Sequence, residues 1–458
     1  MRILWLCNIM LPAVAKQLGV EASNKEGWLS GLAETVLENG GQSGIELAVA
    51  APMPENLTGS GEEILSGEVK REGKAALKFY GFYEKMTCPE KYDAALEGRM
   101  QKILADFKPD LVHCFGTEYP HTLAMSKVFE PKGGLLISIQ GICTAYAEAY
   151  YANLPEKVIR SATLRDILKR DSLKKQREKF VLRGKQERAA LELAGTIAGR
   201  TKFDEFYAKR WNPKARYATL HETLRPEFYE GVWSEENCIP HSIFVSQGDY
   251  PLKGLHYMLE ALPLIEKQYP DVKLYVAGNS LLRQGSLLNR MKISAYGKYL
   301  QQLICRGNLE DKVVFLGRLS GEQMKEQYLK SNLFVCCSAI ENSPNSLGEA
   351  MLLGVPCISA DVGGISSVFE GGKDGFLYEG FKTPKNEFDN ECDFYKTTEE
   401  FGKIIAKSIA DDTIKMWSDA EKRKQFCENA RNHARNNHDK ERNYKEMQEI
   451  YAEMSRHI

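Results

Sequence analysis

The 458-residue chain has no charge of either sign to spare, with 61 Lys+Arg set against 62 Asp+Glu for a formal net charge of −1. A globally basic nucleic-acid binder would carry a pI well above neutral, so no nucleic-acid partner is expected. Apolar runs approaching the ~20 residues that span a bilayer are also missing. The eleven cysteines include no Cys-x-x-Cys pair and no spaced Cys/His cluster, which argues against a disulfide framework or a zinc site. Cys7, Cys336, Cys337 and Cys357 sit inside apolar runs and read as small buried hydrophobes in a reducing, cytoplasmic setting. The first apolar run leads into Asn8-Ile-Met-Leu-Pro12 rather than a Gly-x-Gly-x-x-Gly loop, which disfavours a dinucleotide oxidoreductase. With 43% hydrophobic and 27% charged residues, disordered and collagen-like classes are excluded as well.

What is present is an alternation of short β-rich runs with helical stretches. Met1–Cys7 could pass for a short signal peptide, but Asn8, Pro12, Lys16 and Gln17 follow without a clean cleavage pattern, and a first buried strand, Ile3–Cys7, is the better reading. Gly27–Asn39 is expected to be a helix stopped by Gly40-Gly41. Further strands are expected at Ile45–Ala50, Leu111–Cys114, Gly134–Ile139, Ala194–Ala198 and Arg216–Leu220. The rhythm restarts after Trp233–Pro240, with strands at Ser242–Ser246, Lys273–Ala277, Val313–Leu316, Leu333–Cys337 and Pro356–Ser359, and a helix at Leu255–Tyr269. Strands and helices in this order imply βαβ units and mostly parallel, doubly wound sheets: an α/β protein of two halves. The expected division is 1–235, 236–435, and a last helix, 436–458, whose Tyr444, Met447, Ile450, Tyr451 and Met454 have helical spacing suited to core packing. Glu379–Thr397 reads as a polar loop, with Thr397-x-x-Glu400 as a capping box.

Residues 160–188 stand apart, with eleven Lys/Arg to four Asp/Glu. They read either as a solvated helical face or as a patch for anionic lipid headgroups or a diphosphate-bearing acceptor. Leu164, Ile167 and Leu168 make only a weak apolar stripe, so surface attraction is expected rather than insertion.

The segment richest in chemistry runs from Leu333 to Met351. A buried strand ends near Ser338, a loop of small residues follows, and a helix opens at Asn345 or Ser346. In open α/β sheets ligands bind beyond the carboxyl ends of the strands, and a helix N-terminus there suits a phosphate. Glu349, one turn into that helix, is placed to accept both hydroxyls of a ribose. Glu341 is placed for the hydroxyls of a second group. Lys253, in Tyr250-Pro-Leu-Lys-Gly254, would neutralise a diphosphate, and Gly363-Gly364 permits close backbone approach or a tight turn.

Taken together these residues resemble the donor-binding domain of retaining glycosyltransferase family 4, including members that build bacterial capsular or other surface polysaccharides. The matching positions are Lys253-Gly254 with Leu259-Glu-Ala-Leu262, Val276-Ala-Gly278, Val314-Phe-Leu-Gly317 and Ser338. They continue with Glu341-x7-Glu349, Gly354-Val-Pro356, Asp361-Val-Gly-Gly364 and Asp374-Gly375. The first half matches more loosely, through Glu26-Gly27-Trp28 and Lys108-Pro-Asp-Leu-Val-His113. The resemblance implies the GT-B fold, two facing Rossmann-like domains with the last helix returning to the first. It also implies a metal-independent, retaining transfer from a nucleotide-diphosphate sugar, UDP- or GDP-linked, to a hydroxyl of a glycan or lipid-linked glycan, with no cofactor. Residue by residue, Glu341 and Lys253 would be catalytic. Glu349, Asn345, Ser346, Leu347, Gly248, Gly363, Gly364, Gly27, Gln140 and Arg200 would be on the donor side. Lys253 would stabilise the leaving diphosphate.

Three departures bear on this. Gly248 stands where the family usually has an Arg, Ser367 where it has the Glu of Gly-Gly-x-x-Glu, and Gln140 where it often has a His. Arg200 is a candidate for the missing positive charge. Glu118 and His121 are candidates for the acceptor side, or else a capping Glu and a surface His. The alternatives are another GT-B enzyme, such as a sugar-nucleotide epimerase or phosphorylase, and a non-catalytic sugar-nucleotide or glycan-binding relative.

Overall fold

The computed structural model describes residues 1–21, 27–58, 63–70, 76–279, 292–381 and 399–456. By internal contact the chain divides into two compact units. Unit 1 comprises Met1–Thr144, Lys179–Arg225 and Asn437–Ile458; unit 2 comprises Ala145–Glu178 and Pro226–Asn436.

Unit 1 is built on an eight-stranded sheet of β1 (Arg2–Cys7), β2 (Glu46–Met53), β3 (Leu65–Val69), β4 (Leu77–Tyr83), β5 (Leu111–Phe115), β6 (Leu135–Ser138), β7 (Thr196–Gly199) and β8 (Arg216–Thr219). Its order is β3-β4-β2-β1-β5-β6-β7-β8, and only the β3–β4 pair is antiparallel. The inner strands are mostly apolar because helices cover both faces of a parallel sheet. Unit 2 carries a six-stranded, all-parallel sheet of β9 (Ile239–Val245), β10 (Lys273–Ala277), β11 (Val313–Gly317), β12 (Ser331–Cys336), β13 (Cys357–Asp361) and β14 (Phe376–Glu379). Its order is β11-β10-β9-β12-β13-β14.

Strands β3, β4 and β14 were not expected from the sequence. The helix Gly27–Ser43 runs through the Gly pair expected to stop it, and Gly44, in the left-handed region at φ 64, follows its end. The expected boundary kept residues 145–178 with the first half, whereas by contact they group with unit 2. Hydrogen bonds show why. His256 Nε2 bonds the Ala152 carbonyl at 2.7 Å, and the Tyr257 hydroxyl donates to Asn153 Oδ1 at 2.7 Å. The Glu379–Thr397 loop beyond 381 and the capping residue Thr397 lie outside the described residues.

The last helix, Lys440–Met454, belongs to unit 1 and contributes Tyr444, Met447, Ile450, Tyr451 and Met454 to its core beside Ile3, Trp5 and Leu29. A buried polar cluster fastens it. Trp5 Nε1 donates to the Tyr451 hydroxyl at 2.9 Å, and that hydroxyl lies 2.7 Å from His113 Nδ1. His113 Nε2 lies 2.7 Å from Ser138 Oγ. Since the Tyr451 oxygen already accepts from Trp5, its proton goes to Nδ1, and Nε2–H donates to Ser138. This needs the neutral imidazole, and burial pushes its pKa down to about 3.

Candidate functional site

In unit 2 the loops that leave β9, β12 and β13 interlock at the carboxyl end of the sheet. After β9 the chain makes a short 3-10 turn, Pro251–Lys253, and reverses at Gly254 with φ 69. A Cβ at Gly254 would lie 1.8 Å from the Cys337 carbonyl oxygen, so only glycine lets the Lys253 turn lie against the end of β12. Ala339 N donates to the Leu252 carbonyl at 2.7 Å and completes that seam. The loop after β13 closes on the same point. Gly364 N donates to the Glu341 carbonyl at 3.0 Å, and a Cβ on Gly363, at φ 55, would come within 2.0 Å of that oxygen.

At the centre, Lys253 Nζ donates to Glu341 Oε1 at 2.5 Å, and Ser338 Oγ donates to the same oxygen at 2.8 Å. Burial alone would depress the Lys253 pKa, but the Glu341 carboxylate overrides it and holds the pKa well above the ordinary value. The ammonium is therefore a fixed charge at neutral pH.

The helix Asn345–Leu353 opens beside this pair with Pro344 at its N-cap and no side chain capping it. Its N-terminal end keeps the backbone polarity that favours an anion. The Asn345 Oδ1 atom is buried and has no hydrogen-bond partner, an acceptor suited to a ligand hydroxyl or N–H. Ser346 and Leu347 complete the first turn, and the Ser346 carbonyl accepts from the Tyr328 hydroxyl at 2.9 Å. Glu349 is buried one turn on, with Oε2 at 3.2 Å from the same hydroxyl. The arrangement offers a cation, a helix N-terminus and two carboxylates within one strand–loop–helix unit.

Gly248 lies beside Leu255 and Val276. A Cβ there would approach Leu255 Cδ2 to 2.5 Å and Val276 Cγ1 to 3.1 Å, so this packing has no room for the arginine usual in the family. An exposed guanidinium that the sequence did not single out, Arg318, lies at the ends of the neighbouring strands. Arg318 Nε donates to Asn279 Oδ1 at 2.8 Å, and Asn279 Nδ2 donates to Asp249 Oδ2 at 2.9 Å. These three residues follow β11, β10 and β9. They are far apart in sequence, and only the sheet order makes them neighbours.

In unit 1 the carboxyl ends of β1, β4, β5 and β6 hold a second polar network. Glu118 accepts from Thr117 N at 2.9 Å and Gly141 N at 3.0 Å, and Asn8 Nδ2 donates to it at 3.4 Å. The buried His121 places Nε2 3.1 Å from Asn8 Oδ1 and Nδ1 2.5 Å from Glu84 Oε2, so both ring nitrogens face acceptors. The structure thus brings Glu118 and His121 together and makes His121 a buried residue, not a surface one. Their partners Asn8 and Glu84 were not singled out in the sequence. Glu187 is fully buried next to them, accepting from Thr117 Oγ1 at 2.9 Å and Cys143 N at 3.1 Å. Burial raises its pKa to about 8.

Arg200 is engaged within its own unit. It pairs with the buried Glu222 at 3.0 Å, and its guanidinium donates to the Ile139 carbonyl at 3.2 Å and to Gln140 Oε1 at 3.3 Å. Its charge already has a partner, and Gln140 is held as an acceptor. Gly27 is the first residue of the helix Gly27–Ser43, and Glu26 before it lies outside the described residues. Among the described residues no three His, Cys, Asp or Glu side chains are grouped to hold a metal ion.

The family model described as "Glycosyl transferases group 1" matches residues 240–386, which hold every unit 2 site residue named above. Spore coat protein SA of Bacillus subtilis (strain 168) is 30% identical over 151 residues, which cover 32% of this chain and 38% of that protein. The chain therefore aligns with well under two thirds of the length of the curated relatives it matches. Several solved structures align over almost the whole chain, among them a sucrose-phosphate synthase and HepE. Sucrose-phosphate synthase from Thermosynechococcus elongatus has a TM-score of 0.64 at 14% identity, covering 99% of both chains. HepE of Anabaena, in complex with UDP-glucose, has a TM-score of 0.59 at 15% identity, covering 99% of this chain and 100% of that one. The fold is GT-B, and over residues 240–386 the chain matches the group 1 glycosyl transferases.

Proposed function

We propose that the protein is a retaining, metal-independent glycosyltransferase that moves a hexosyl group from a nucleotide-diphosphate sugar to a hydroxyl of a glycan or lipid-linked glycan. The observation that carries this reading is the unit 2 arrangement: the Lys253–Glu341 pair at 2.5 Å, the uncapped start of the helix Asn345–Leu353, and the buried Glu349 one turn inside it. Glu349 would accept the ribose hydroxyls. The first-turn backbone of Asn345–Leu347 and the orphaned Asn345 Oδ1 would meet the diphosphate and sugar. Lys253 would stabilise charge as it develops on the leaving diphosphate. The HepE structure, which contains UDP-glucose, supports a uridine donor. On the acceptor side, the Glu118–Asn8–His121–Glu84 network offers fixed polar groups at the strand ends of unit 1, suited to a hydroxyl-rich molecule. Among the described residues no helix is long and apolar enough to cross a membrane.

The test is release of nucleoside diphosphate and transfer of sugar from UDP- and GDP-sugars, followed by mass spectrometry. Lys253→Ala and Glu349→Ala are each expected to lose at least a hundredfold in turnover with an unchanged circular dichroism spectrum. Full activity in either variant would remove that residue from the mechanism. Donor isomerisation, or sugar phosphate formed from free phosphate, would move the assignment to an epimerase or phosphorylase. Nucleotide binding with no turnover of any donor would indicate a non-catalytic relative.

A further inference from the structure

The short helix Leu164–Lys169 of unit 2 is inside out. Its one acidic residue, Asp166, is buried at 2% exposure, whereas Leu164, Ile167 and Leu168 stand 50%, 64% and 75% exposed. Ordinary amphipathic helices turn the apolar stripe inward, and here polar bonds hold the opposite orientation. Asp166 Oδ2 accepts from Ala295 N at 2.8 Å and from Thr163 N at 3.1 Å. Thr163 Oγ1 donates to the Ile293 carbonyl at 2.8 Å, and Arg165 pairs with Asp166 at 2.9 Å and with Asp171 at 3.2 Å. Arg170 ends the helix in the left-handed region at φ 51, its N–H bonded to the Ile167 carbonyl and the Asp171 N–H to the Asp166 carbonyl. The carboxylate side is thus fixed to the body of unit 2, and three large aliphatic side chains project from it.

Around them the exposed charges are mainly basic. Lys169, Arg170 and Lys174 are exposed, while Asp166 and Asp171 are engaged by Arg165 and the exposed Glu156 is paired with Arg160. Aliphatic side chains ringed by cations match the boundary between acyl chains and anionic headgroups.

We propose that residues 160–174 form a membrane-docking surface for anionic lipid, with Leu164, Ile167 and Leu168 entering the headgroup–acyl boundary. This is stronger than the surface attraction expected from sequence, and it does not depend on the catalytic reading. The cations supply long-range attraction that salt screens, and the aliphatic side chains supply contact that salt leaves in place.

The experiment is co-sedimentation of the full chain with vesicles of phosphatidylcholine alone and of phosphatidylcholine with 30% phosphatidylglycerol. Wild type is expected to sediment with the anionic vesicles at least tenfold more strongly than with the neutral ones. Ile167→Glu/Leu168→Glu should lose at least tenfold of that binding with no change in melting temperature, because both positions already face solvent. Lys169→Glu/Arg170→Glu should lose the preference for anionic vesicles. Equal binding by wild type and Ile167→Glu/Leu168→Glu, or no binding to anionic vesicles, would overturn the proposal. A dimer in light scattering that Ile167→Glu/Leu168→Glu turns into a monomer, without vesicle binding, would overturn it in favour of self-association.

Discussion

In the proposed transfer Glu341 and a donor diphosphate would compete for the Lys253 ammonium, and the geometry of the pair gives that competition a measurable size. Lys253 Nζ sits 2.5 Å from Glu341 Oε1, which also accepts from Ser338 Oγ at 2.8 Å. Lys253→Met strands a nearly buried carboxylate, at a cost of about 3 kcal/mol. For a unit of this size that is a fall of about 6–12 °C in melting temperature. Lys253→Met/Glu341→Gln removes the stranded charge and should return to within about 1 kcal/mol of wild type, since a neutral pair of similar shape replaces the ion pair. Ligand binding separates the two partners. If Lys253 receives the diphosphate, Lys253→Met should weaken nucleoside diphosphate binding roughly 10- to 100-fold, the worth of a charge-assisted hydrogen bond. Glu341→Gln frees the ammonium and should keep that affinity or tighten it. Scanning calorimetry and titration calorimetry on the four proteins give both quantities. Glu341→Gln weakening the diphosphate as much as Lys253→Met, or Lys253→Met melting like wild type, would show that the Lys253–Glu341 pair does not hold the cation for the diphosphate.

Other outcomes follow from buried groups. His113 is neutral when folded, with burial lowering its pKa to about 3, and His256 is lowered to about 4. The stability each adds is complete above about pH 6.5 and is lost as pH falls, with a deficit of about 2 kcal/mol per histidine at pH 5. The melting temperature should drop between pH 7 and 5, and neither imidazole should titrate by NMR above pH 5; a midpoint near 6.5 would contradict this. Tyr451→Phe leaves Trp5 Nε1 and His113 Nδ1 buried without their shared partner and should destabilise unit 1 by about 2–4 kcal/mol, read by thermal melting. Gly254→Ala forces a Cβ to within 1.8 Å of the Cys337 carbonyl oxygen and should lower the melting temperature of unit 2 and abolish nucleotide binding. A variant that melts and binds like wild type would show that the Lys253 turn tolerates displacement.

Most of the parallel strands were legible because a strand buried on both faces reads as an unbroken apolar run. Ile3–Cys7 was expected and Arg2–Cys7 found; Lys273–Ala277 was expected and found with the same ends. The edge region was not legible. β3 holds Gly67 and Glu68, and the aromatic residues of β4 are broken up by Lys78 and Gly81, so neither shows an unbroken apolar run, and the pairing of Gly67 with Phe79 emerges only in the sheet. The unit 2 residues could be named because strand, loop and helix supply them consecutively, from Ser338 to Glu349. Asn8, Glu84 and Arg318 were out of reach for the opposite reason. Each lies at the end of a different strand, and sheet order rather than sequence spacing sets its neighbours. Glu187 was hidden inside a basic helical stretch, where nothing in its spacing distinguishes a buried carboxylate from a solvated one.

The central claim is that Glu349 and the start of the helix Asn345–Leu353 hold a nucleoside diphosphate. Titration calorimetry of UDP, GDP and ADP against wild type and Glu349→Ala tests it most directly. At least one nucleoside diphosphate is expected to bind wild type, and Glu349→Ala is expected to weaken it at least tenfold while the fold is kept. No binding of any of the three, or equal binding by Glu349→Ala, would contradict it.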